Sequence, residues 1–186
     1  MLIYCSGLQM NFRKELMMKK WLLVLVIPGF ILSTPAMLVA ADVRSAEIFE
    51  CGTYNIEITK EIKDNSAVEG KFFKVSKKIK RIKKTNKIPA TKDLAFGIRY
   101  IIHGSPLGEK VKIRRIMIYP RSGLRNPETG KVGYKKETAS LIKIGDKRLY
   151  GYVFGQEWLM VPGDWTFQLW YEGRELAERT FTVYIP

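Results

Sequence analysis

The strongest constraint on the fold of this chain is a period-two alternation of side chains within residues 161–183. Pro162-Gly163 suits the centre of a type II turn, because proline fixes the first φ and glycine accepts the positive φ that follows. A strand should therefore begin near Trp165, and its successive side chains should point to opposite faces of a sheet. One face then receives four large apolar side chains: Trp165, Phe167, Leu169 and Tyr171. This pattern predicts a half-buried β-strand.

The same segment also predicts a hairpin. Glu172-Gly173 follows the strand at the point where a tight reversal is needed. Phe181 and Val183 share one face of the return strand, whereas Leu176 has the opposite parity. A β-bulge changes the parity of a strand by inserting one extra residue, so we expect irregular pairing near Ala177.

Short apolar runs separated by turn residues continue through the whole chain after Asp42. "GTYNIEIT", "LAFGIRYII", "VKIRRIMIYP", "ASLIKI" and "YGYVF" alternate or are bounded by glycine, proline and asparagine, and no long amphipathic helix interrupts them. About seven short strands with regular turn signals predict an all-β antiparallel sandwich. Residues 42–186 should form one such domain, because a chain of this length can bury a core of its own.

The N-terminus predicts export. Met17-Met18-Lys19-Lys20 precede an uncharged stretch over residues 21–41, which ends in small residues before Asp42. This is the pattern of a secretory signal peptide, so residues 1–41 are expected to form a signal helix that is removed on export to the periplasm. A further hypothesis is that translation begins at Met17 or Met18, since the segment before them is unusually long for a signal peptide. The alternative is an uncleaved anchor formed by residues 21–41.

The amino-acid composition argues against most kinds of metal-binding and catalytic site. The chain has one histidine and two cysteines, so a zinc or copper site built from several such ligands is not expected, and we predict no metal, no cofactor and no catalytic residue. Cys5 belongs to the signal segment, which leaves Cys51 without an intramolecular partner. We interpret Cys51 as a small buried residue at the start of the first strand, with a reactive or intermolecular thiol as the alternative.

A basic run lies between Lys71 and Lys92, where ten lysines and arginines occur without an acidic residue. Val75, Ile79 and Ile82 have helical spacing, which would place the lysines on the outer face of a helix. The run either binds a polyanion or is a solvated charged edge of a basic protein. The whole chain has 32 Lys and Arg against 18 Asp and Glu, so a charged partner should be anionic. The candidate polyanion-binding residues are Lys77, Lys78, Lys80, Arg81, Lys83, Lys84 and Lys87. Lysine dominates and no aromatic platform is interleaved, so sequence-specific nucleic-acid binding is not expected.

Trp170 is the second candidate for contact with a partner. It shares the strand face of Gln168, opposite the apolar set, and exposed aromatic side chains often anchor partners. The alternative is that neighbouring side chains cover the indole.

Several blocks of the chain resemble the family called domain of unknown function 3859. These are "CGTY", "KIPATKDLAFGIRYIIHG", "IMIYP" and "YGYVFGQEWLMVPGDWTFQLWYEGRELAERTFTV", and together they cover most of residues 48–186. The resemblance implies an exported, single-domain, immunoglobulin-like β protein and brings no known activity or catalytic residue. The basic segment before Ile88-Pro89-Ala90 departs from the family pattern. The resemblance nevertheless implies a strand that leads to Ile88-Pro89-Ala90, with lysines that protect an exposed edge, and we favour this strand over the helix.

Two function classes follow. The first is a non-catalytic exported module that binds a protein or an anionic envelope component, and electrostatic binding of anionic lipid or polysaccharide is a form of it. The second is a hydrolase acting on an envelope polymer, which would require two convergent carboxylates in a cleft. We favour the first, and we predict membrane contact only through the signal segment or the basic run.

Overall fold

β-Strands are the dominant secondary structure in the described part of the chain. The computed structural model describes residues 40–63, 67–75 and 79–186. In chain order the strands are β1 (Asp42–Asn55), β2 (Ile58–Lys63), β3 (Lys71–Val75), β4 (Lys80–Lys83), β5 (Lys87–Pro89), β6 (Ala95–Ser105), β7 (Lys110–Ile118), β8 (Leu124–Arg125), β9 (Val132–Gly133), β10 (Lys135–Lys143), β11 (Lys147–Val153), β12 (Gly163–Tyr171) and β13 (Arg174–Tyr184). A short 3-10 helix, Glu157–Leu159, precedes β12.

Two larger sheets form the layers of the sandwich. One has the order β11-β6-β1-β4, and the other has the order β10-β7-β12-β13-β5. All pairs within these sheets are antiparallel except β13 with β5. The all-β prediction is therefore confirmed. The two layers contain nine strands rather than about seven, and they include the short strands β4 and β5, which both lie in the basic run.

A cluster of aromatic side chains fills the space between the layers. Phe96 of β6 lies 5.8 Å from Trp165, 5.7 Å from Phe167 and 5.5 Å from Phe181, ring centre to ring centre, in edge-on geometry. All four side chains are buried. Edge-to-face packing is favourable because the positive edge of one ring meets the negative face of the next. The apolar face predicted around Trp165 is therefore the face that joins the two sheets.

The C-terminal hairpin forms as predicted. Glu172 and Gly173 both have positive φ, at 46° and 80°, as expected for the two central residues of a tight hairpin turn. The register shifts between Leu169 and Trp170: Leu169 faces Ala177, but Trp170 faces Glu175. Leu176 is thus the extra residue, and the expected irregularity is a bulge at this position.

The first strand differs from its prediction. The run "GTYNIEIT" was expected to be one strand, but β1 ends at Asn55 and β2 begins at Ile58. In the other direction β1 extends back to Asp42, and it pairs with β6 through two register shifts, Val43/Ser45 and Ile48/Glu50. Each shift changes the parity of the strand, so residues 42–51 show no clean alternation in the sequence.

The N-terminal predictions concern residues 1–41, of which residues 1–39 lie outside the described residues. All described residues belong to one compact unit, Leu38–Pro186. Within the part of the chain that the structure describes, no helix has the length and apolar character needed to cross a membrane.

Candidate functional site

The inner faces of β7 and β10 carry polar side chains where a sandwich normally places apolar ones. On β7, Val111, Ile113 and Met117 are buried on the core side, and Arg115 has the same parity. On β10, only the end of the inner face is apolar; its other inward positions are Lys136, Thr138 and Ser140, all half-buried. This segment of the five-stranded sheet therefore cannot close against the opposite layer as an apolar surface.

A cavity of about 460 Å³ lies at this position. It separates the polar part of β7 and β10 from Tyr54, Phe96, Tyr150 and Tyr152 of the four-stranded sheet, and residues of the β2–β3 region line it as well. Strands β10 and β11 are edge strands of different sheets, so no backbone hydrogen bonds join the layers beside the cavity. The volume falls in the range of small-molecule sites in proteins.

Glu69 is the acidic side chain of the cavity lining, and it is fully engaged. Its Oε1 accepts a hydrogen bond of 2.5 Å from the Tyr119 hydroxyl, and its Oε2 lies 3.4 Å from Nζ of Lys136. Burial, followed by the charge of Glu69, raises the pKa of Tyr119, so this phenol stays protonated and donates. Lys136 also donates to the carbonyl of Lys71. This network stabilises one wall of the cavity.

The side chain of Arg115 has fewer polar partners than that of Glu69. Its guanidinium lies 5.0 Å from the ring centre of Tyr150, across the gap between the two sheets. Its buried Nε makes no hydrogen bond with the described residues, and none of their carboxylates lies within ion-pair distance of it. A cation on the inner face of a sheet is costly unless an anion or acceptor compensates it.

Three further buried polar atoms of the lining have no hydrogen-bond partner among the described residues. They are the hydroxyl oxygens of Tyr54, Tyr152 and Thr138. Burial raises the pKa of both phenols, so Tyr54 and Tyr152 remain neutral O–H donors across the physiological range. Native structures rarely leave several such groups unsatisfied at one place unless a ligand or solvent completes them.

The described residues of the lining include few groups of the kind used in hydrolysis or metal binding. Among its described residues Glu69 is the single carboxylate, whereas glycoside hydrolysis generally uses two. The described residues also hold no group of three or more histidine, cysteine or acidic side chains able to bind a metal ion.

The basic residues predicted to bind polyanions do not lie at this cavity. Lys80, Arg81 and Lys83 are exposed on β4, the edge of the four-stranded sheet, and exposed Lys84 follows them. Lys87 begins β5, at the edge of the other sheet. Arg81 is paired with Glu50 at 3.2 Å. The predicted edge strand thus forms at β4, and the run crosses from one layer to the other; Lys77 and Lys78 lie outside the described residues.

Trp170 and Gln168 lie together on the outer face of β12. The indole Nε1 donates to Oε1 of Gln168 at 3.0 Å, and the guanidinium of Arg114 lies 5.3 Å from the ring centre. Trp170 is half-buried rather than open to solvent. The adjoining groove, about 770 Å³, is more open than the cavity and is flanked by Lys110, Lys112, Arg114 and Glu137. The cavity between the sheets is therefore the better-defined site.

Three other side chains of types that can be reactive have ordinary surroundings. Cys51 is half-buried within β1 rather than at the start of the first strand, because that strand begins nine residues earlier, at Asp42. His103 lies in β6, where its Nε2 is 2.9 Å from Oε2 of Glu47. Glu157 is exposed in the 3-10 helix.

Sequence reasoning missed the residues that define the cavity. The pattern "VKIRRIMIYP" contained a usable signal, since Val111, Ile113 and Met117 alternate and Arg115 interrupts the apolar face. The inward polar positions of β10 carried a weaker signal, because an edge strand with alternating polar residues usually faces solvent. Which face is inward depends on pairing with β7, and only the structure establishes that register.

Comparison with known proteins agrees with this architecture. An immunoglobulin-like protein from Pseudomonas aeruginosa, whose crystal structure is known, is 20% identical to this chain, covers 78% of it and is itself covered over 97% of its length, with a TM-score of 0.53. At that identity the likeness establishes the fold alone. No curated protein matches the sequence. The family model for the domain of unknown function DUF3859 matches residues 43–183, and the chain therefore belongs to the DUF3859 family.

Proposed function

We propose that this protein is an exported, non-catalytic binding module of the bacterial envelope that holds a small ligand between its two sheets. The observation that carries the proposal is the cavity of about 460 Å³, in which four buried polar atoms lack hydrogen-bond partners among the described residues. A folded domain would lose stability by maintaining such a space without using it, because each unsatisfied buried group costs about 1–3 kcal/mol.

Binding explains the lining better than hydrolysis does. Glu69 is tied to Tyr119 and Lys136, so it is not free to act as a general base. No second carboxylate converges on it among the described lining residues. Several aromatic side chains instead offer the apolar surface typical of ligand pockets.

The export half of the proposal rests on the N-terminal sequence. An uncharged stretch that follows two lysines and ends in small residues is typical of a cleaved leader. Removal of residues 1–41 would leave every described strand intact, because β1 begins at Asp42. N-terminal sequencing of the envelope fraction tests this. A mature product that begins at Asp42 supports export and cleavage, whereas a product that retains residues 21–41 indicates the anchor.

The binding half is tested by blocking the cavity. In a Ser140→Phe variant, the new ring would project from a half-buried inward position of β10 into the cavity. Leu141→Phe is the matched control, because Leu141 is the next residue of the same strand and is 67% exposed on the outer side. Native mass spectrometry of protein isolated from the periplasm should detect a bound small molecule on the wild type and on Leu141→Phe, and not on Ser140→Phe.

A ligand that stays bound to Ser140→Phe would place binding elsewhere. Two sites would then need examination: the edge formed by β4, whose four residues are all exposed and include three cations, and the outer groove beside Trp170. Capture at the β4 edge would weaken steeply with salt, because it would depend on contacts between exposed charges.

A further inference from the structure

We infer that the ligand of the inter-sheet cavity is an amphiphile with one oxyanion, such as a fatty or aromatic carboxylate, whose charged group is held by Arg115. The inference rests on the proposed function and adds the chemical class of its ligand. Four features of the lining support it: the hydrogen-bonding character of its free groups, its charge, the position of Arg115, and its apolar surface.

The free polar groups of the cavity are donors. The Nε of Arg115 can only donate, and the protonated phenols of Tyr54 and Tyr152 donate through their hydroxyl hydrogens. The Thr138 hydroxyl can also donate. A ligand that offers partners to these donors must present acceptor lone pairs, and a carboxylate presents about four on two oxygens. An ammonium group could donate to the hydroxyl oxygens of the lining, but it has no lone pair for the Nε–H of Arg115 and would bring a second positive charge into the cavity beside that guanidinium.

The charge of the lining favours an anion. Its titratable side chains other than the tyrosines are three cations, Lys71, Arg115 and Lys136, and one carboxylate, Glu69. Glu69 compensates Lys136, and Lys71 is paired at 3.1 Å with Glu61. Arg115 is the cation left without a carboxylate among the described residues. A single negative charge would complete the pairing, whereas a dianion would exceed it.

Arg115 occupies the place where such a group would be bound. It extends from the middle of β7, and its neighbour across the pair with β10 is Thr138. Its contact with the ring of Tyr150 holds the guanidinium between the layers rather than at the surface. Arginine in a restrained geometry binds carboxylates through charge-assisted hydrogen bonds, which are about twice as strong as neutral ones.

The remaining lining is apolar and suits the body of the ligand. Phe96, Met117, Leu149 and Leu159 contribute hydrocarbon surface from both sheets and from the 3-10 helix, and Phe73 adds a ring from β3. Transfer of an acyl chain or a ring from water to this surface is favourable at about 25 cal/mol per Å² buried. A purely inorganic anion would leave this surface unused.

Binding of three probes of equal chain length tests the inference: decanoate, decanol and decylammonium, measured by titration calorimetry at submicellar concentration. We expect the wild type to bind decanoate at least about tenfold more tightly than decanol, a difference of about 1.4 kcal/mol, and to bind decylammonium most weakly. This ranking needs no variant, so it holds even where a substitution impairs folding.

Paired arginine variants assign the selectivity to the cavity. Arg115→Met should reduce decanoate affinity by about tenfold or more and leave decanol affinity within about threefold, because only the charged ligand loses a partner. Arg114→Met is the matched control: Arg114 is adjacent in sequence, lies over Trp170 on the outer face, and should leave all three affinities within about threefold.

The outcomes separate the two proposals. Equal binding of decanoate and decanol, or tighter binding of decylammonium, would overturn the oxyanion inference while leaving a ligand-binding cavity in place. Binding of decanoate that is insensitive to Arg115→Met would also overturn it. Failure of all three probes to bind would overturn the inference for acyl amphiphiles. The proposed function itself would be overturned only if Ser140→Phe also retains the ligand that the wild type carries from the periplasm.

Discussion

Replacing Phe96 by alanine provides the sharpest test of how the two layers are held together. Phe96 is 1% exposed and contacts five aromatic rings with centres 5.2–6.1 Å away, which belong to Tyr152, Phe154, Trp165, Phe167 and Phe181. Truncation of a buried phenylalanine generally costs about 3–5 kcal/mol, because apolar contact is lost and a cavity remains. Phe96 also borders the existing cavity, so its neighbours cannot close the new space easily.

We therefore expect a loss of about 4 kcal/mol in the free energy of unfolding. In a domain of this size the loss corresponds to a fall of about 8–16 °C in Tm. Urea unfolding followed by tryptophan fluorescence measures the first quantity, because Trp165 lies in the same cluster. Phe49→Ala is the control: this ring is 37% exposed and contacts Arg99 and Lys147, so its loss should cost less than about 1 kcal/mol. Equal losses in the two variants, or a loss below about 1.5 kcal/mol for Phe96→Ala, would refute the assignment of the core to this cluster.

Three further predictions concern backbone packing, alkaline pH and the sheet edge. Gly97→Ala would place a Cβ 2.3 Å from the carbonyl oxygen of Tyr150, so β6 and β11 must separate and the urea midpoint should fall by the equivalent of about 1–3 kcal/mol; an unchanged midpoint would contradict the tight strand approach. Burial raises the pKa of five tyrosines above the ordinary 10.0: Tyr54, Tyr100, Tyr119, Tyr150 and Tyr152. As pH rises past 10 the folded state therefore binds more protons than the unfolded state, so the free energy of unfolding should fall and the ultraviolet ionisation signal of these residues should appear only with unfolding. Reversible ionisation of these residues in the folded protein would contradict this. Replacing Lys80 and Lys83 together by valine should cause concentration-dependent association in light scattering, because both are exposed on the edge strand β4; a variant that stays monomeric would show that these lysines do not protect the edge.

The C-terminal hairpin was predictable because its signals are local. The segment shows a turn glycine, a period-two pattern and one residue of opposite parity, all within a few positions of each other. Even the bulge at Leu176 was therefore predictable from the sequence. Strand β1 was not predictable in the same way. Two shifts of register in its pairing with β6 scramble the alternation over residues 42–51, and the information that restores it lies in a strand about fifty residues away.

The candidate site escaped prediction for a related reason. Sequence reasoning looked for reactive groups and for exposed charge or aromatic side chains, and it found the basic run and Trp170. The residues that form the cavity are ordinary polar side chains whose meaning depends on which face of a sheet they occupy. Arg114 and Arg115 illustrate this: they are chemically identical and adjacent, yet one lies over Trp170 and the other over Tyr150 between the sheets.

The strand pattern also explains why the cavity occurs at this end of the sandwich. Near Val111, Ile113 and Ile142 the two layers pack with apolar side chains, and the core is continuous there. Farther along β7 and β10, Arg115 and Lys136 replace apolar residues on the same inner faces, and the layers do not close over them. A sequence that is selected only for stability would continue the apolar pattern, since buried polar groups without partners destabilise the fold. The local violation of the pattern coincides with the cavity between the sheets, and that coincidence is the physical reason to look for a ligand there rather than at the more abundant charges of the surface.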